Sequence, residues 1–224
     1  MADHNEQWIS DMLRLAEGEN GKKTEKQARI LDAAIEIFAE KGFAAASTSE
    51  IAQKAGVAEG TIFRHYKTKK DLLLSIAAPI AAKLAAPFIM REFAAKVLDT
   101  RHERVEELFR TIAKDRLAFA KQHEKLLRIL IHEIAFQPEL LMQVQTVFKD
   151  IVFQRMEKII YHFQQQGQII EAPPWRVLRT AVSLFVGMVV TRLLLLPDEP
   201  TDEDEEIDCT IDLLMHGLSP SPRP

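Results

Sequence analysis

Residues 47–70 carry side chains of the types that bind a polyanion. Hydroxyl groups open the stretch at positions 47–49, lysines close it at positions 67, 69 and 70, and Arg64 lies between them. Hydroxyls, free amides at helix starts and cationic side chains are the groups that hold phosphate oxygens. The stretch therefore predicts contact with the phosphates of a nucleic acid.

The same stretch contains the signals that start and end short helices. Ser47 followed three residues later by Glu50 is a capping box, in which the hydroxyl accepts from an amide of the first turn. Gly56 can adopt the left-handed conformation that ends a helix. A second helix is predicted from about 59 to 66, and Thr68 repeats the capping pattern for a third. Two helices joined by a tight turn, with a further helix attached, form a helix-turn-helix.

The pattern resembles the DNA-binding domain of the TetR (tetracycline repressor) family. The residues that carry the resemblance are Ser47, Ile51, Ala52, Ala55, Gly56, Val57, Gly60, Thr61, Phe63, His65, Tyr66 and Lys69. The preceding helix, predicted at about 25–41, also resembles the first helix of that family and ends at Gly42. Ser47 replaces the more usual threonine, and Ala58 replaces the usual serine. The helix after Ala58 is therefore expected to lack a side-chain N-cap.

The resemblance implies that the helix at 59–66 lies in the major groove of DNA. Arg64 is predicted to pair with a guanine edge or to hold a phosphate, and Thr61 to contact a phosphate or a thymine methyl. Glu59 either accepts from a cytosine amine or favours the helix dipole, and His65 either contacts a phosphate or packs. The predicted DNA-binding residues are Ser47, Thr48, Ser49, Glu59, Gly60, Thr61, Phe63, Arg64, His65, Tyr66, Lys67 and Lys69.

The charge of the chain is unevenly distributed. The net charge is −4, yet residues 22–70 hold ten Lys/Arg and six Asp/Glu, a local charge of +4 that leaves −8 for the rest. A basic module on an acidic body is expected when one part of a protein meets phosphate and the other does not.

The 224 residues are 47% hydrophobic and 28% charged, which is typical of a soluble globular chain. The single cysteine, Cys209, excludes an intrachain disulfide framework, fits a reducing cytoplasm and is interpreted as a small apolar residue of the last helix. The most apolar run, 184–196, is shorter than the roughly 20 residues that cross a bilayer and contains Arg192. A buried helix is predicted there, in a cytoplasmic protein without membrane contact.

Helical periodicity continues almost to the end of the chain and predicts an all-α protein of about nine helices. Pro79 is expected to kink or interrupt the helix that starts at Thr68, and Pro87 to start a further segment. The later helices are predicted at about 103–122, 124–137, 138–166, 175–196 and 201–218, the last of them capped by Thr201.

The resemblance implies a three-helix DNA-binding domain at 22–70, followed by a six-helix ligand-binding and dimerisation domain at 71–218. Residues 1–21 are expected to form a flexible or loosely packed extension, and residues 219–224 a disordered tail.

A homodimer is predicted through the helices 175–196 and 201–218, because TetR-like proteins form a four-helix bundle from these helices and their counterparts. An almost wholly apolar helix beside a striped one also needs more cover than one subunit supplies. The predicted partner is a double-stranded DNA operator with an inverted repeat, whose half-sites lie roughly 34 Å apart.

Large apolar side chains between 78 and 163 either line a ligand cavity or fill a core. The effector is predicted to be a small, largely apolar molecule, with polar groups such as Glu133 either orienting it or facing solvent. The candidate ligand-binding residues are Met90, Phe93, Phe109, Ile112, Arg128, His132 and Phe136.

The sequence contains no Gly-rich phosphate loop, no paired-cysteine or H-E-x-x-H metal motif and no nucleophile elbow. The pairs His123-Glu124 and His132-Glu133 are adjacent in sequence and do not face each other on a helix. No enzyme activity, metal or cofactor is therefore expected. The prediction is a homodimeric regulator, a repressor released by its effector; the alternative is a ligand-independent DNA-binding structural or division protein on the same scaffold.

Overall fold

The computed structural model describes residues 24–89, 104–196, 199 and 202–218. All regular secondary structure in these ranges is helical, which confirms the predicted all-α class. None of the helices there combines the length and the apolarity that a membrane span requires. The predicted N-terminal extension and C-terminal tail lie outside these ranges.

The chain begins its described part with four helices, α1 (Glu25–Ala45), α2 (Thr48–Ala55), α3 (Glu59–His65) and α4 (Lys69–Ile89). The later helices are α5 (Val105–Gln122), α6 (Glu124–Glu133), α7 (Pro138–Val147), α8 (Gln154–Gln165), α9 (Pro174–Val190) and α10 (Glu203–His216). Two helices run on into π-helical segments: α7 through Phe148–Phe153 into α8, and α9 through Thr191–Leu195.

These helices fall into two compact units. Among the described residues, unit 1 comprises 24–86 and 123–150, and therefore contains α1 to α3, most of α4, α6 and α7. Unit 2 contains α5, α8, α9 and α10. The two units are defined by contacts between residues. The boundary expected after residue 70 divides the chain by function instead, and it stays a prediction.

Unit 1 is built on α1, which packs against both α2 and α6. Its first turn is closed by a capping box: the Gln27 amide donates to the Thr24 hydroxyl at 3.3 Å, and the Thr24 amide donates to the Gln27 side chain at 3.0 Å. The fully buried side chains of its core are Ile30, Ala34, Ile51, Ile62, Leu72 and Leu73. Ile129 of α6 belongs to the same core, so α6 contributes to the core that the N-terminal helices share.

In unit 2, α5 packs against α9 and α10, and α8 packs against α9. Its buried core is formed by Val105, Leu108, Phe109, Ala113, Leu117, Phe163, Ala181, Met188, Ile207 and Ile211. The acidic run at 202–206 starts α10, as predicted. The observed N-cap is Asp202, whose carboxylate accepts from the amides of Asp204 and Glu205 at 2.9 and 3.2 Å. The predicted cap Thr201 lies outside the described residues.

The expected interruption at Pro79 is wrong, because α4 continues past it to Ile89. A proline inside a helix costs about 3 kcal/mol through its missing amide and its ring. Apolar burial on both sides of Pro79 opposes that cost. The buried residues there are Ile76, Ala77, Ala78, Ile80 and Ala81.

The predicted burial of the run 184–196 is incomplete within unit 2. Leu178 and Met188 of α9 are buried, but Val186 is 53% exposed and Leu195 67% exposed. The apolar run therefore forms a helix with one buried face rather than a wholly buried one. Cys209 lies on the last helix, α10, as predicted, and is exposed there.

Candidate nucleic-acid interface

The turn between α2 and α3 depends on Gly56. Its backbone has φ 63° and ψ 40°, the left-handed conformation that glycine adopts without steric cost. The amide of Gly56 donates to the Gln53 carbonyl at 3.2 Å, and the amide of Val57 donates to the Ala52 carbonyl at 3.0 Å. These bonds satisfy the last carbonyls of α2 and turn the chain directly into α3.

The start of α2 is capped as predicted. The Ser47 hydroxyl accepts from the Glu50 amide at 3.1 Å. The Glu50 carboxylate pairs with the ammonium of Lys41 on α1. A second ion pair joins the same two helices, between Lys54 and Glu36 at 2.6 Å. The hydrogen bond from Lys41 lowers the pKa of Glu50, as the bond from Lys54 lowers that of Glu36.

The start of α3 has no side-chain cap, as the alanine at position 58 predicts. Instead, the carboxylate of Glu59 in the first turn accepts a hydrogen bond from the hydroxyl of Thr48 in the first turn of α2. This contact joins the beginnings of the two helices. This contact supports the interpretation in which the Glu59 carboxylate stabilises the start of α3, rather than the one in which it accepts from a cytosine amine.

The outward side of α3 is available to a partner. Ile62 is fully buried, whereas Phe63 is 45% exposed and Arg64 is also exposed. Thr61 and His65 are half-buried between these positions. The predicted base-reading residues therefore share one helix whose opposite side is anchored in the core of unit 1.

Tyr66 is half-buried at the end of α3. Burial raises the pKa of its hydroxyl, and a hydrogen bond with the Ser75 side chain partly offsets that effect. The phenol is thus engaged with α4. Among the neighbouring cations, Lys67 is exposed, and Lys70 pairs with Glu139 of α7 at 2.6 Å.

Lys69, predicted to hold a phosphate, has two internal acceptors. Its ammonium donates to the carbonyls of Phe43 at 2.7 Å and Ala46 at 2.6 Å. It also lies 4.4 Å from the centre of the Phe43 ring, within the range of a cation–π contact. An ammonium has three donors, so these two bonds leave one N–H for a phosphate.

A residue that sequence reasoning missed at this site is Glu133 of α6, which is 8% exposed. Its carboxylate accepts from the amide of Phe43 at 3.2 Å and from the side-chain amide of Gln137 at 3.3 Å. The spacing of residues indicates that Glu133 is buried. It lies seven residues after Leu126 and three after Leu130, and therefore on the apolar face of α6.

The candidate ligand-binding residues are distributed over both units. Met90 and Phe93 lie outside the described residues. In unit 2, Phe109 is buried and Ile112 packs beside it. In unit 1, Arg128 pairs with Glu124 at 2.9 Å, while His132 and Phe136 are exposed. Their role in binding a ligand stays a prediction.

Comparison with known proteins identifies the region around α2 and α3. A family model described as "Bacterial regulatory proteins, tetR family" matches residues 30–76. The "Fatty acid metabolism regulator protein" of Bacillus subtilis is 46% identical over 55 residues, which are 25% of this chain and 28% of that protein. Across three such curated relatives, the matched region spans only 18–28% of their own length.

Solved structures resemble a larger part of the chain. The transcriptional regulator FadR from Bacillus subtilis, in complex with stearoyl-CoA, is 21% identical with a TM-score of 0.62, covering 86% of this chain and 99% of that one. PfmR, a TetR-family regulator from Thermus thermophilus, is 21% identical with a TM-score of 0.67, covering 85% and 99%. At this identity the likeness shows a common fold.

Proposed function

We propose that this chain is a dimeric transcriptional regulator released from its operator by an apolar effector, on the premise that its residues 30–76 match the tetR family of bacterial regulatory proteins. The observation that carries the proposal is the arrangement of α2 and α3. The left-handed turn at Gly56 and the bond between Thr48 and Glu59 fix the two helices together. Arg64 then projects from the exposed side of α3.

In the proposed complex α3 enters the major groove of double-stranded DNA. Arg64 and Thr61 contact base edges, and Gly60 allows close approach of the backbone. The hydroxyls at 47–49 and the free amides at the start of α2 hold a phosphate. The remaining N–H of Lys69 serves the same purpose, while its other two donors hold the protein backbone in place.

The proposed homodimer forms through α9 and α10. Apolar side chains remain exposed on these helices and on the residues that follow α9. They are Trp175, Val186, Leu195, Leu196 and Leu213. Covering them with a second subunit would bury apolar surface, which favours association. Two reading heads related by a two-fold axis would address an inverted repeat in the cytoplasm of a bacterium.

The proposed effector is a long-chain acyl thioester or a molecule with a similar apolar chain. A relative that is 46% identical in the DNA-binding region bears the name of a fatty acid metabolism regulator, and the FadR structure holds stearoyl-CoA. An apolar chain also agrees with the large apolar side chains between 78 and 163. We therefore use stearoyl-CoA as the first probe, with free coenzyme A as its control.

The test is genome-wide mapping of bound DNA, followed by titration of a recovered fragment with and without stearoyl-CoA. We expect a small number of sites containing an inverted repeat, and weaker binding when stearoyl-CoA, but not coenzyme A, is added. Numerous sites without a common repeat and without a response to any apolar compound would instead favour the ligand-independent structural protein.

A further inference from the structure

The backbone of Phe43 is held on both sides of its Cα by charged side chains. Its amide donates to the Glu133 carboxylate at 3.2 Å, and its carbonyl accepts from the Lys69 ammonium at 2.7 Å. The same ammonium lies over the Phe43 ring. Glu133 belongs to α6, Lys69 to the first turn of α4, and Phe43 to the last turn of α1. Three helices of unit 1 thus meet at one residue.

The backbone amide of Phe43 needs an acceptor outside α1 because of Gly42. Gly42 has φ 76° and ψ 164°, which departs from helical geometry and breaks the regular bonding of α1 at its end. A backbone amide left without a partner in a buried setting costs free energy comparable to a lost hydrogen bond. The buried Glu133 carboxylate supplies that partner from a helix 90 residues further along the chain.

The position of the Phe43 backbone bears on the segment that starts α2. The Lys69 ammonium donates to the carbonyls of both Phe43 and Ala46, and Ala46 immediately precedes the cap residue Ser47. A shift of the Phe43 backbone would therefore displace the segment that presents the hydroxyls at 47–49. The same shift would disturb Lys69, whose third donor is available to a phosphate.

We propose that Glu133 is a positioning residue for DNA binding: it fixes the backbone of Phe43, and through it the start of α2 and the Lys69 ammonium, in the geometry that binds the DNA backbone. The proposal rests on the proposed function. It adds a role for α6, a helix outside the helix-turn-helix, in setting the affinity for DNA.

The experiment compares full-length variants in binding a DNA fragment recovered by genome-wide mapping. Glu133→Ala removes the acceptor and is expected to weaken binding about tenfold, the size of one lost hydrogen bond to a charged group. Glu133→Gln retains an acceptor oxygen and should restore most of the affinity. Glu124→Gln is the matched control, since it changes a half-exposed acid on the same helix that pairs with Arg128. It should bind like the unmodified protein.

Hydrogen exchange of the Phe43 amide separates positioning from a general loss of stability. In the unmodified protein this amide should exchange slowly, and in Glu133→Ala it should exchange faster while the amides of α3 keep their protection. Should Glu133→Ala fail to fold, Glu133→Leu removes the acceptor while retaining packing volume and is measured in its place.

Equal DNA affinity of the folded Glu133→Ala or Glu133→Leu variant and the unmodified protein would overturn the proposal. So would rapid exchange of Phe43 in the unmodified protein. If the unmodified protein selects no DNA, the proposed function fails instead, and the exchange of Phe43 still tests the contact with Glu133.

Discussion

The hydroxyl of Thr48 in the first turn of α2 donates a hydrogen bond to the carboxylate of Glu59 in the first turn of α3. The contact joins the two helices of the helix-turn-helix at the ends that face the proposed DNA. It also places an anion at the positive end of the α3 dipole, where a carboxylate is favoured. The carboxylate therefore already has a structural purpose before any DNA binds.

Replacing Glu59 with glutamine should raise the affinity for all DNA sequences to a similar extent. Removal of a negative charge near the phosphates reduces repulsion, and the glutamine oxygen can still accept from Thr48. We expect a gain of about three- to tenfold at low salt that shrinks as salt increases. Fluorescence anisotropy with operator and unrelated DNA measures it. Loss of discrimination at a single base pair would show that the carboxylate reads a cytosine.

Arg64→Ala should weaken operator binding by about 1–3 kcal/mol and relax sequence preference at one position, if the guanidinium pairs with a guanine. Titrations of operators with single base-pair changes provide the measurement. Arg104→Ala, which removes an exposed arginine paired with Glu106 at 3.2 Å in unit 2, is the control and should leave the preference unchanged. A uniform loss across all sequences would assign Arg64 to a phosphate.

The features that sequence predicted correctly are the ones that neighbouring residues determine. The caps at Ser47 and Thr68 and the left-handed turn at Gly56 each depend on residues at most five positions apart. Long-range contacts were not accessible in this way. Glu133 and Phe43 are 90 residues apart, and only the folded chain shows which amide the buried acid meets.

The predicted interruption of α4 at Pro79 was wrong for a related reason. Its local effect on a helix is unfavourable in any sequence, but the outcome in α4 depends on the apolar surface buried around it. The sequence indicated that one subunit would leave α9 partly uncovered, but the particular residues that are exposed depend on its packing against α5, α8 and α10. Local propensity sets a preference that tertiary packing can override.

Gly56→Ala and Gly60→Ala should have opposite effects on stability. An added Cβ at Gly56 would lie 3.7 Å from Arg29, an ordinary contact, so the cost comes from the left-handed backbone and should be about 1–2 kcal/mol. Gly60 is helical, with no atom within 4 Å of an added Cβ, and alanine there should stabilise by about 0.5–1 kcal/mol. Urea unfolding measures both.

Gly60→Ala also tests how closely the DNA approaches the backbone of α3. If the backbone of α3 comes close to the bases at Gly60, Gly60→Ala should weaken operator binding although it stabilises the protein. Increased stability of Gly60→Ala with unchanged operator affinity would contradict that close approach. Base recognition would then depend only on the side chains of α3.

The ion pairs between α1 and α2 should make the stability of unit 1 depend on pH. Lys41 and Lys54 lower the pKa values of Glu50 and Glu36 below their ordinary value of 4.5. A carboxyl whose pKa is lower in the folded state contributes stability above the unfolded pKa, and that stability is lost as the pH falls through the folded pKa. The contribution should therefore be complete at about pH 6 and decline below about pH 4.5.

The measurement compares the unmodified protein with the variant Lys41→Met, Lys54→Met in urea at several pH values. The difference between their free energies of unfolding should be small, because all four side chains are substantially exposed. The difference should narrow as the pH falls below about 4.5, and also at high salt. A difference that stays constant over this range would exclude the ion pairs as its source.

Val186→Glu should convert the dimer into monomers. Val186 lies on α9 with 53% of its surface exposed, next to Phe185, which packs against the core of unit 2. In the proposed dimer the new carboxylate would be buried without a partner, at a cost of about 3 kcal/mol or more, equivalent to at least a roughly hundredfold weaker association. Tyr161→Glu on α8, where the tyrosine is 50% exposed, is the matched control and should remain dimeric.

Analytical ultracentrifugation measures the association, and operator titration measures its consequence for DNA binding. A monomer presents one reading head, so Val186→Glu should lose the advantage of a second, tethered half-site contact and bind far more weakly. Circular dichroism should still show a helical protein, because a position with half its surface exposed tolerates a charge within the single chain. Unmodified protein that sediments as a monomer at micromolar concentration, yet binds an inverted repeat tightly, would show that the two subunits associate on the DNA rather than through α9 and α10 beforehand.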